Sequence, residues 1–199
     1  LVLIQLSIPA DLLQTGNWLE ENARAITLAI SLVPFAGIAF LWFMGVVRNR
    51  MGRQEDQFFS TLFFGSGYLY LGMTFAAAAV AGGDLVLYAL DPDLLVGSEV
   101  HALALIISNR LNTMYAMRMA GMFMIVLGTI WIRTQVMPRW LALVTYVLAV
   151  VLLISIGFTI WVILLFPAWV FLISVSILVM NYRVQRGDVE LPDGLTMDG

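Results

Sequence analysis

The residues best equipped for chemistry in this sequence are clustered between positions 109 and 118. They are Asn109, Arg110, Asn112, Tyr115 and Arg118, spread along an otherwise apolar stretch. Arg110 and Arg118 are two helical turns apart on nearly the same face, with Met114 between them. With Asn109, Asn112 and Tyr115 beside them they predict an outward-facing polar pocket for an anionic headgroup or a carboxylate. The competing role for Arg118 is structural. It snorkels to the interface, or pairs with Asp84, Asp91, Asp93 or Glu99 to pin an outer segment.

Other chemistries fall away on inventory. The chain has no cysteine, which removes disulfides, thiolate metal sites and thiol catalysis. His101 is the one histidine, so a bis-histidine haem or a multi-histidine metal site cannot be built within one copy. There is no lysine for a retinal Schiff base. Five methionines lie between Met114 and Met124, and thioethers suit Cu(I), but adaptable packing is the expected role. His101 is expected as an exposed or hydrogen-bonded surface histidine at the outer interface, where it would meet external pH. Gly65-Ser66-Gly67 resembles a serine-protease environment, yet the only possible base lies toward the opposite side of the membrane. There is no phosphate-binding loop, no dinucleotide fingerprint and no HExxH. The expectation is a protein that is not an enzyme and carries no cofactor or metal.

The elements that must position these residues follow from composition. The chain has 199 residues, 61% hydrophobic and 12% charged, with net charge −3. A soluble domain is about 45–50% apolar and about 25% charged. An integral membrane protein is implied, and nothing suggests nucleic-acid binding. Uncharged runs at 25–47 and 57–83 each suit one spanning helix of ~20 residues. The run at 140–182 suits two, with a turn near Trp161–Pro167 and Pro167 in the first turn of the second helix. A further helix carries Arg118. Its pattern extends back to an N-cap at Ser98, so its outer part must project from the membrane or bend onto it.

The predicted fold is all-α, a polytopic transmembrane helix bundle. Its spans are expected at about 25–47, 57–82, 114–132, 141–160 and 166–182, with an outer segment at 84–112 and a disordered cytoplasmic tail at 183–199. The opening LVLIQLSIP reads as the end of a truncated N-terminal span. Arg48, Arg50, Arg53, Arg133, Arg139, Arg183 and Arg186 fall on one side, and Arg24, Arg110 and Arg118 on the other. By the positive-inside rule the first set, with the C-terminus, is cytoplasmic. Pro34 is expected to kink the first complete span. Small residues at Gly72 and Ala76, Ala78 and Gly82, Ala79 and Gly83, and Gly121 and Gly128 provide faces for close helix contact.

The stretch RMAGMFMIVLGTIWIRTQVMPRW from Arg118, with FPAW at 166–169, resembles a group of functionally uncharacterised polytopic membrane proteins of bacteria, mainly actinobacteria. The resemblance implies a bacterial inner membrane and no particular activity. Two function classes follow. One is a structural or accessory subunit that contacts membrane lipids, another membrane protein or a second copy of itself. The other is a carrier or receptor for a small anionic or lipophilic ligand at the pocket around Arg110 and Arg118.

Overall fold

The computed structural model describes residues 15–51, 57–91, 98–134, 139–154 and 160–185. Five helices account for nearly all of them, with no strand among the described residues. In chain order they are α1 (Thr15–Met51), α2 (Gln57–Leu90), α3 (Glu99–Thr134), α4 (Arg139–Ile154) and α5 (Ile160–Gln185). Three segments are long and apolar enough to cross a membrane: Ile26–Asn49, Gln57–Leu90 and Glu99–Thr134. The apolar helices of α4 and α5 are shorter.

The burial pattern is that of a protein solvated by lipid. On α1 the buried positions Ile26, Ala29, Val33, Phe40, Met44 and Val47 recur at helical spacing and form one inward stripe. The opposite face is equally apolar but exposed, through Leu28, Leu32, Phe35, Ile38 and Trp42. α4 repeats this with Leu143, Val147, Val150 and Ile154 facing out. So much exposed apolar surface is untenable in water and ordinary in a bilayer.

The core is aromatic. Phe63 stacks on Phe123 with centroids 4.8 Å apart, and Phe123 meets Phe40 at 5.3 Å and Phe166 at 6.2 Å. Trp169 adds contacts to Phe43 and Trp131. Such pairs add about 0.5–1.5 kcal/mol each beyond area burial. They also fix direction. Phe166 faces Phe40 and Trp169 faces Phe43, so α5 runs parallel to α1. The C-termini of α1, α3 and α5 therefore share one end with the N-termini of α2 and α4. Arginines hold that end together. Arg48 donates to Ser60 Oγ at 2.8 Å and lies over the Phe64 ring, and Arg133 lies over Phe59.

α3 and α4 approach most closely at glycine. A Cβ on Gly121 would lie 3.0 Å from Leu153 Cγ and 3.1 Å from the Ala149 carbonyl oxygen, and Gly128 faces Thr145 and Tyr146. Thr145 is fully buried. It donates to the Leu141 carbonyl and accepts the Trp169 indole N–H at 2.9 Å, joining α4 to α5.

Several boundaries differ from the sequence reading. α2 does not stop near residue 82 but continues through Asp84 to Leu90, because His101 satisfies the carboxylate within the bundle. α4 ends at Ile154 and α5 begins at Ile160, so Pro167 lies inside a helix instead of opening one. Pro34 is also internal to its helix, as anticipated. Helix persists to Gln185, two residues past the expected start of the tail; the remainder of the tail and the expected N-terminal span at 1–14 lie outside the described residues.

Candidate functional site: a lateral cavity beside a polar helix seam

α2 and α3 form a long antiparallel pair with polar rungs. At the far end, His101 Nδ1 donates to both carboxylate oxygens of Asp84, at 2.8 and 3.0 Å. Ser98 caps α3 as expected, accepting the His101 backbone N–H. Seven residues back on α2 and seven forward on α3, Ser108 Oγ donates to the Ala77 carbonyl at 2.9 Å. The Phe63–Phe123 stack lies a further fourteen residues back but fifteen forward. The additional residue falls on the strand of the pairing that contains a π-helical turn, Leu111–Ala116. An i→i+5 turn accommodates one extra residue without breaking the helix, and such turns are frequent at functional sites.

The π turn carries Asn112. Its side chain is buried, with 3% exposure. It faces a cavity of about 530 Å³ between α1, α2, α3 and α5, within the size range of small-molecule sites. Every other lining group is uncharged, and most are apolar. Phe40, Tyr70 and Phe166 pack together with centroids 4.7 to 5.7 Å apart and close the cavity toward the core. Thr74, one turn above Tyr70 on α2, places a buried Oγ1 there with no hydrogen-bond partner. The Tyr70 hydroxyl is near it but outside hydrogen-bonding geometry. The cavity opens sideways. Leu32 on α1 and Phe171 on α5 line it and are 53% and 72% exposed, on surfaces that face lipid.

Of the five residues expected to form one outward-facing pocket, one lines this cavity. Asn109, Arg110 and Tyr115 are exposed, and Arg118 is half-buried. Arg110 Nη1 reaches the Met114 thioether at 3.5 Å. Only Asn112 lines the cavity. The π turn is the physical reason, since the extra residue changes the facing of side chains across it. Asp84, one of the acids proposed to pair with Arg118, is engaged by His101 instead. His101 itself is a correction. At ~1.5 Å per residue Asp84 is ~40 Å along α2 from Gln57, longer than a ~30 Å hydrocarbon core, so the pair belongs to the end of the bundle opposite the arginines. Yet His101 is 3% exposed, not a surface residue, and its Nε2 has no partner among the described residues.

Sequence reasoning also passed over Thr74. A threonine within an apolar helix usually bonds the preceding turn. Thr113, Thr129 and Thr134 do so at 2.7 to 2.9 Å. Thr74 does not, and nothing in its sequence context distinguishes it. No group of three or more histidine, aspartate or glutamate side chains suited to a metal ion occurs among the described residues. Comparison with protein families, curated proteins and solved structures finds no match to this chain.

Proposed function

We propose that this chain is a polytopic protein of a bacterial inner membrane that acts without catalysis, by binding a lipophilic molecule in the cavity between α1, α2, α3 and α5. The observation that carries the reading is the cavity itself, apolar, laterally open and lined by two buried polar side chains, Thr74 and Asn112, of which the Thr74 hydroxyl has no hydrogen-bond partner among the described residues. Within a bilayer such a site is reached from lipid, not from water. In this reading α4 and α5 complete five spans, and the arginine-bearing end with the C-terminus faces the cytoplasm. Ligand choice thereby moves from the anions expected around Arg110 and Arg118 to neutral apolar compounds. Extraction of the protein from lipid nanodiscs tests it. A neutral lipid enriched about one to one over its abundance in the surrounding membrane supports the reading, and the bulk lipid composition overturns it.

A second reading, an accessory subunit, has its own observation. Gly72, Ala76, Ala79 and Gly83 fall on one exposed face of α2, and added Cβ atoms on Gly72 and Gly83 would meet nothing within 4 Å. Small-xxx-small faces of this kind let a second helix approach closely. Disulfide cross-linking of a Gly72→Cys variant in membranes tests for a second copy at this face, and a monomer under oxidation argues against it.

A further inference from the structure

Resting on the reading of the cavity as a lipid site, we propose that its occupant is a neutral lipid with a flat, carbonyl-bearing ring as its head, a lipoquinone by chemical class. Three independent features define that chemistry.

The first is charge. No charged side chain lines the cavity, and Arg110 and Arg118 lie outside it. A fatty acid or phospholipid head would be left without a counter-ion in a low-dielectric site, which is strongly unfavourable. The head is therefore uncharged.

The second is shape. The floor consists of the rings of Phe40, Tyr70 and Phe166, with Phe43 and Phe75 on the walls. A planar ring gains offset or edge contacts against such surfaces that a flexible acyl chain does not.

The third is hydrogen bonding. The buried Thr74 hydroxyl has no hydrogen-bond partner among the described residues, and the Asn112 side chain, 3% exposed, lines the same cavity. A carbonyl oxygen receives a proton without bringing one of its own, so a ring with two carbonyls satisfies both groups where an alcohol satisfies one at the expense of its own hydroxyl. Polar groups are costly at membrane depth and usually functional. Asn112 is moreover set in place by a π turn, which a purely structural helix does not need. The tail then leaves between Leu32 and Phe171 into the surrounding lipid.

The test compares two probes on the whole protein in phosphatidylcholine nanodiscs. Decyl-1,4-benzoquinone and decylbenzene share ring and tail and differ in the two carbonyls. Apparent affinities are read from the dose dependence of thermal unfolding. The quinone should bind about tenfold more tightly to the wild type, as expected for two added hydrogen bonds. Thr74→Val and Asn112→Leu should each narrow that difference between the two probes. If a variant fails to fold, the comparison of the two probes on the wild type still decides. Equal affinity for both probes overturns the quinone head and leaves the lipid site standing. No shift with either probe overturns both.

Discussion

Asp84 and His101 form a buried acid–base pair that joins α2 to α3, with side chains only 6% and 4% exposed. Removing one partner strands the other, and breaking a buried pair in this way costs about 3–5 kcal/mol. Asp84→Ala should lower the unfolding free energy by that order, measured by denaturant titration in mixed micelles. Asp84→Asn keeps an acceptor for Nδ1–H and should cost less. Equal effects of the two would show that the carboxylate charge adds nothing.

Two glycines should respond in opposite directions. Gly121 abuts a backbone carbonyl, which cannot move aside. Gly121→Leu should separate α3 from α4 and destabilise by about 3 kcal/mol or more. Gly72 faces open space, so Gly72→Ala should gain up to about 1 kcal/mol from helix propensity. Thermal unfolding of both variants in the same detergent checks the contrast.

A buried side-chain hydrogen bond joins α4 to α5, from Trp169 Nε1 to Thr145 Oγ1. Thr145→Val conserves shape and leaves the indole N–H unpaired, at a cost of about 1–3 kcal/mol. A double-mutant cycle with Trp169→Phe should show a positive coupling energy between the two positions. Additive effects would mean that the bond contributes nothing net.

The absence of native cysteine makes topology directly measurable. Leu90→Cys, at the far end of α2 and 77% exposed in the parent residue, should react with a membrane-impermeant maleimide on intact cells. Gln57→Cys, at the arginine-bearing end, should react only after permeabilisation. The reverse pattern would invert the proposed orientation.

The helical bundle was legible because uncharged runs between arginines mark helices directly, as for Ile26–Asn49. The N-cap at Ser98 and the close approach at Gly121 were legible too, since capping and small-residue spacing are local signals. What escaped depends on a partner distant in sequence. Asp84 looked like the end of a helix because its hydrogen-bonding histidine is 17 positions away. That Asn112 is buried while Arg110 is exposed was hidden because an ideal helix was assumed, and the π turn at 111–116 has no sequence signature here. Thr74 looked ordinary because its missing hydrogen bond is visible only once α1, α2 and α5 enclose it.

The most direct measurement of the central claim is occupancy of the cavity by native mass spectrometry. Ala36 lines the mouth and is exposed, so Ala36→Trp fills the entrance without disturbing the packed core. Wild-type protein released from native membranes should carry one bound neutral lipid, and Ala36→Trp should lose that mass while keeping the same unfolding temperature to within a few degrees. Identical adducts on the two proteins, or none on the wild type, would contradict a lipid-binding cavity.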